Sequence, residues 1–341
     1  MKLLITTQNI DKNDPILGFF HRWVEEFAKH FEHIYVICLS EGEHTLPANV
    51  TVYSLGKESG ENMVKYVWRF YTHLWTLNGK YDAVFSHMNP HYILLGGLVW
   101  RLQKKNIFFW RNHARMNIMT RIASVFAKRI FYTSPYACTA RYAHAVKMPV
   151  GIDTERFDKE DVLKERTQKK KILFLGRLSP VKRVDLLVEV AKLLPDTHEV
   201  HIYGDAPKKD EIYGQQLHAQ AGSNVYFHNA VKNTDTPAIY RAHDVFVNLT
   251  PRGSMDKTVL EASACGTMAI ITNESFLNTI DPISYIEDVS VQSILDTIIR
   301  ITSLDTQLYT NSMHTTRAKI IEHESLVKLG DMLYNYIHEQ N

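Results

Sequence analysis

The chain has 341 residues, of which 45% are hydrophobic and 22% charged, with a formal net charge of +2. These are ordinary proportions for a globular enzyme with core enough for about two domains. Cys38, Cys138 and Cys265 are too widely spaced for a zinc site or a disulfide framework, and no apolar run approaches the roughly 18 residues of a membrane span.

The N-terminal "MKLLITTQNIDKND" turns polar after Ile5, too soon for a signal-peptide core, so the expected location is the reducing cytoplasm. The charge is unevenly spread. Residues 1–150 carry 18 Lys+Arg against 10 Asp+Glu, and the remainder 21 against 27. Residues 83–152 contain ten basic residues and no acidic one. Such a field attracts anions, whether nucleic acid, a phospholipid surface or a phosphorylated substrate. The plain alternative is a solvated face whose counter-charges come from the acidic half.

In chain order, "KLLIT" reads as a strand. "LGFFHRWVEEFAKHF" follows with Phe20, Trp23, Val24, Phe27 and Phe31 at helical spacing, and "IYVICL" is again a strand. "NMVKYVWRFYTHLW" predicts a helix, "YDAVFSH" a strand, "PHYILLGGLVWRLQ" a helix and "NIFFW" a strand. "NIMTRIASVFAKRIF" predicts one helix, with Ile118, Ile122, Val125, Phe126 and Ile130 on a stripe opposed by basic residues. Residues 151–171, dense in charge and poor in large apolar side chains, read as a linker. The alternation restarts at Ile172 and runs through "ILFLG", a helix from Val184, "EVHIYG", a helix near 211–219, "NVYFHN", a helix over 236–242, "DVFVNL", a helix from Lys257 and "TMAIIT". A helical tail ends the chain. Alternating strands and helices imply parallel βαβ units, hence an α/β fold of two Rossmann-like domains.

Ligands of parallel α/β sheets gather at the carboxyl ends of the strands. Two such ends stand out. "ILFLG" stops at Gly176 and opens onto Arg177, Lys182 and Arg183 just before a helix. Cations at the positive end of a helix dipole are disfavoured unless an anion compensates, and Arg with Lys can clamp phosphate oxygens. The second end is "DVFVNLTPRGSMDKTVLEASACG", where a broken strand leads to a helix whose free amides suit an anion. Glu261 sits about one turn inside it, placed to accept ribose hydroxyls or simply to favour the dipole.

In combination, "GRLSPVK", "VGIDTERF", "YGDAP" and "VLEASACGTMAI" resemble the family-4 retaining glycosyltransferases, over nearly the whole chain. The resemblance implies a GT-B fold: two Rossmann-like domains with parallel sheets facing across a cleft, and a C-terminal helix returning to the N-terminal domain. The implied divisions are 1–150 on the acceptor side, a linker at 151–170, the nucleotide-sugar domain at 171–322 and the returning helix at 323–341. It also implies roles. Arg177 and Lys182, after Gly176, would bind the donor diphosphate and replace a metal ion, in keeping with the absence of an Asp-x-Asp triplet. No metal or cofactor is expected. Ser254 would belong to the donor-binding set, the amides of Lys257 and Thr258 would meet the distal phosphate, Glu261 the ribose, and backbone over Asn229 to Val231 the base. Gly18 would face the diphosphate from the N-terminal domain, and His113 would reach the donor sugar. His87, at a strand end, and Arg111 would lie on the acceptor side.

One departure concerns the sugar. The family places a glutamate eight residues before the position of Glu261, and here Gly253 stands there; Asp256 is expected to reach into that space. The implied activity is transfer of a hexose from a nucleotide diphosphate sugar, with retention, to a glycan or lipid-linked acceptor in cell-surface polysaccharide or glycolipid synthesis. The alternatives are a catalytically impaired nucleotide-sugar binder or another GT-B enzyme such as a sugar epimerase. Trp68, Phe70, Tyr71 and Trp75, in the basic half, suit either a core helix or contact with an anionic membrane surface, which would make the protein peripheral to the inner face of the cell membrane. Nucleic acid is not expected as a partner, because no recognition motif accompanies the charge.

Overall fold

A computed structural model of the chain describes residues 1–158, 169–253 and 255–340. Half of the expected linker, residues 159–168, and Ser254 lie outside the described residues. The chain divides into two units, Met1–Gly151 with Leu326–Asn341, and Ile152–Ser325. Each is a parallel α/β unit.

The first unit holds β1 (Lys2–Ile10), β2 (His33–Glu41), β3 (Val50–Ser54), β4 (Ala83–His87), β5 (Asn106–Trp110), β6 (Arg129–Tyr132) and β7 (Ala145–Lys147), in the sheet order β3-β2-β1-β4-β5-β6-β7. All pairings are parallel, with β1 between β2 and β4. One face is covered by α1 (Gly18–Ala28) and α11 (Leu326–Gln340). Phe20, Trp23, Val24 and Phe27 fall on the α1 stripe that meets the sheet, while Leu326, Leu329, Leu333 and Ile337 form the α11 stripe. The C-terminal helix therefore completes the first unit. Gly151 sits between these helices at φ +73, where a β-carbon would lie 2.5 Å from Leu329 and 2.9 Å from Trp23. Trp23 Nε1 donates to the Gly151 carbonyl at 3.1 Å. Only glycine fits both the dihedral and the space.

The opposite face is covered by α2 (Met63–Thr76), α3 (Pro90–Leu102) and α4 (Ile118–Phe126). The helix predicted through residue 131 stops earlier. Ala127 turns extended and residues 129–132 pair with β5, burying Ile130 and Phe131 in the sheet. The apolar stripe of α4 is also reversed relative to expectation: the helix buries Thr120, Ala123 and Ser124, and Ile118, Ile122 and Val125 are exposed.

The second unit holds β8 (Lys170–Leu175), β9 (His198–Tyr203), β10 (Val225–His228), β11 (Val245–Asn248) and β12 (Met268–Ile271), in the order β10-β9-β8-β11-β12, again all parallel. The helices α5 (Val184–Ala191) and α9 (Val291–Thr302) pack on one face around Ile172, Val200, Ile202 and Val247. The remaining helices are α6 (Glu211–Gln220), α7 (Thr236–Arg241), α8 (Lys257–Ala264) and α10 (Thr306–Glu324). The helical tail is two helices, since Ser325 is extended and separates α10 from α11.

Candidate functional site

The chemistry expected from the sequence converges at the carboxyl ends of β8, β9 and β11 in the second unit. The pairing of β8 with β9 continues past both strands, as Gly176 N–H donates to the Tyr203 carbonyl at 3.0 Å and Leu178 N–H to the Asp205 carbonyl at 3.0 Å. Gly204, at φ +137, comes so close that a β-carbon there would lie 2.0 Å from the Gly176 carbonyl. The backbone thus forms a tight ledge, and Arg177 projects from it. Arg177 is exposed and makes no ion pair among the described residues. A 3-10 turn over Pro180–Lys182 then carries the chain into α5 through Arg183, held left-handed at φ +52.

Lys182 turns the other way. Its Nζ pairs with the Asp256 carboxylate, which also accepts from Asn248 Nδ2 and Thr250 Oγ1, each at 3.0 Å. Asn248 Oδ1 in turn accepts the Thr250 N–H at 3.1 Å. Burial would raise the Asp256 carboxyl, but Lys182 and the two neutral donors outweigh it and hold the group below its ordinary range. Asp256 occupies the N-cap position of α8, yet its side chain does not cap the helix. The Asp256 carboxylate is therefore not folded over the first-turn amides of α8, that of Thr258 among them.

One turn further, Glu261 is buried, and its Oε2 accepts from the Tyr240 hydroxyl at 3.3 Å. Burial pushes its carboxyl up, against the opposing pull of Lys257, Arg156 and Tyr240. Burial likewise pulls the Lys257 ammonium down, with Glu261 and Glu324 restoring part of the loss. Arg156 also fixes the turn after β10: it donates to Asn233 Oδ1 at 3.0 Å and to the Asn233 carbonyl. Asn229 and Val231 lie in that turn, the first exposed and the second half-buried. Arg156 was not among the expected site residues; a single arginine after "GIDTE" carries no signal until the fold brings Asn233 beside it, 77 positions away. Gly253 is buried at φ +145 in the loop ahead of α8.

The candidates of the first unit lie in the connection after β1 and at the carboxyl ends of β4 and β5. Gly18 opens α1, where a β-carbon would crowd the Lys12 carbonyl at 3.1 Å. His87 is buried, stacked on Phe20 at 4.0 Å with its Nδ1 3.3 Å from Thr7 Oγ1, so its ring packs in the aromatic core at the strand end. Met88 follows at φ +62, and Arg111 donates to its carbonyl at 2.7 Å, bracing this strained turn. His113 is exposed on the loop after β5, where its Nδ1 accepts the Arg115 N–H at 3.0 Å.

Comparison with known proteins gives a family match for part of the chain and a fold likeness for the whole of it. Residues 155–281 match the family model "Glycosyl transferases group 1". An alpha-monoglucosyldiacylglycerol synthase of Streptococcus pneumoniae is 26% identical over 147 residues, which are 39% of this chain and 33% of that protein. The chain thus spans about a third of the length of the curated relative it matches. Among solved structures, Anabaena HepE in complex with UDP-glucose superposes with a TM-score of 0.80 at 15% identity, covering 99% of this chain and 100% of that one. Sucrose-phosphate synthase from Thermosynechococcus elongatus gives 0.79 at 15% identity, with both chains fully covered. These likenesses establish the fold of the two units as that of GT-B glycosyltransferases. Residues 155–281, which hold the ledge, the ion pair and α8, form a glycosyl transferases group 1 domain.

Proposed function

We propose that the protein is a retaining hexosyltransferase, moving a hexose from a nucleotide diphosphate sugar to a glycan or lipid-linked acceptor in the synthesis of a cell-surface polysaccharide or glycolipid. The observation that carries this reading is Arg177, an exposed cation on a glycine ledge at the carboxyl end of a central strand, near a helix start left uncapped by its own N-cap side chain. A diphosphate supplies the charge that this arrangement lacks. Arg177, Lys182 and the α8 amides offset the negative charge that grows on the leaving phosphate, a task fixed cations perform without a metal ion. Glu261 accepts the ribose hydroxyls, and the turn held by Arg156 supports the base. The donor's C1–oxygen bond to phosphate breaks as the acceptor hydroxyl attacks from the same face. The proton of that hydroxyl passes to the departing phosphate oxygen, and configuration is retained. The Anabaena protein holding UDP-glucose and the streptococcal glucosyldiacylglycerol synthase support a hexose donor and a lipid-linked acceptor for this chain.

A second reading, a nucleotide-sugar binder with little transfer activity, is favoured by Gly253, which puts no carboxylate where the family has one. A thermal-shift panel of UDP-, GDP- and ADP-sugars tests the binding that both readings share, since a ligand at 100 times its dissociation constant stabilises by about 2.7 kcal/mol. No shift with any of them removes both readings. Release of nucleoside diphosphate with transfer to an acceptor separates the first from the second.

A further inference from the structure

The helices α2, α3 and α4 lie side by side on one face of the first sheet, so their outer faces look the same way. The Tyr71 hydroxyl of α2 donates to the Leu95 carbonyl of α3 at 3.0 Å, and Arg101 of α3 donates to the Val125 carbonyl at the end of α4 at 2.8 Å. Their outer faces are apolar to an unusual degree. On α2, Val64, Trp68, Tyr71 and Trp75 recur at helical spacing; Trp68 is 66% exposed and Trp75 85%. On α3, Leu98 and Leu102 point outward. On α4, Ile118, Ile122 and Val125 are exposed while Thr120 and Ser124 are buried, the reverse of a helix shaped only by its own core. A contiguous exposed apolar face of this kind marks an interaction surface.

The charge on this face identifies the partner. None of the three helices contains an acidic residue. Arg101, Lys104, Arg121 and Lys128 are exposed, and none has an acidic partner among the described residues. A second copy docking face to face would set cation against cation. A nucleic acid would leave the tryptophans and isoleucines without use. Indole rings, branched aliphatics and interleaved cations together fit the interface of a bilayer rich in anionic lipid, where the apolar face sinks into the headgroup boundary and each nearby cation strengthens binding about fivefold.

We infer that the outer face of α2, α3 and α4 is an anionic-membrane docking surface. It concerns the first unit alone and stands apart from the donor chemistry of the second. The test is co-sedimentation of the full chain with phosphatidylglycerol-containing and pure phosphatidylcholine vesicles, at low and high salt. The wild type sediments with the anionic vesicles at low salt and is released from them at high salt. Trp68→Ser/Trp75→Ser, and separately Ile118→Ser/Ile122→Ser, lower the partition roughly tenfold or more. All four positions are exposed, so both variants keep the wild-type melting temperature and donor-induced thermal shift. Absence of binding, equal binding to neutral and anionic vesicles, or wild-type binding by both variants overturns the inference. So does a concentration-dependent dimer that either variant dissolves, which would give the face to a second copy.

Discussion

Lys182 and Asp256 meet across 74 residues of sequence, joining the turn before α5 to the residue that opens α8. The carboxylate is therefore committed: it neutralises one of the two cations proposed for the diphosphate and is steadied by Asn248 and Thr250. A diphosphate would compete with Asp256 for Lys182, while Arg177 meets it without a competitor in the described residues. Arg177 is thus the freer cation and Lys182 the gated one.

Asp256→Asn separates these roles. It lifts the competition and removes a charge that repels the donor. The nucleoside diphosphate should bind about three- to tenfold more tightly by calorimetry, from gains typical of one charge contact. Turnover should fall at least tenfold, because Lys182 loses the partner that orients it. Weaker binding with unchanged turnover would contradict this.

The same pair sets an acid limit on stability. The folded-state pKa of Asp256 lies below its unfolded value. Its contribution is therefore complete above the unfolded value and is lost as pH falls through the folded one. Urea melts should show the wild type losing stability below about pH 4 more steeply than Asp256→Asn. A double-mutant cycle with Lys182→Met should return a coupling of about 1–3 kcal/mol.

Glu261 follows the opposite sign. Burial raises its carboxyl, so the charged form costs the folded state stability at neutral pH, and protonation relieves that cost. Glu261→Gln should melt at the wild-type temperature or a few degrees above it at pH 8, by an amount worth about 1 kcal/mol. Donor affinity should drop tenfold or more, as a ribose hydroxyl loses its charged acceptor. A variant that melts lower yet binds normally would count against the assignment.

Gly151→Ala isolates the joint between α1 and α11. It combines a left-handed dihedral with overlap against Leu329 and Trp23, so denaturant melts should lose about 2–4 kcal/mol. A loss under 1 kcal/mol would mean that this packing is looser than described.

Much of this architecture is legible in the sequence, because strands buried on both faces read as short apolar runs and their crossover helices as stripes of period 3.6. Three strands escape that reading. In β3 every residue is only half-buried, β7 has three residues, and β6 follows so closely on α4 that its Ile130 prolongs the helical stripe. The reversed α4 could not be foreseen either, since an apolar stripe looks the same whether it faces a core or a membrane. In the site, the glycine ledge and Glu261 are readable from motif and position. The Lys182–Asp256 pair and the hold of Arg156 on Asn233 are not, because each depends on contacts more than 70 residues apart and only the fold makes those partners neighbours.

The most direct measurement is the rate of hexose transfer by Arg177→Ala, beside Arg177→Lys, under saturating donor. Arg177 touches nothing acidic in the described residues, so folding should be unchanged and any loss belongs to the reaction. We expect Arg177→Ala to fall about 100- to 1000-fold, with Arg177→Lys partly rescued. A folded Arg177→Ala variant that turns over at the wild-type rate would contradict the proposal that this ledge holds the leaving diphosphate.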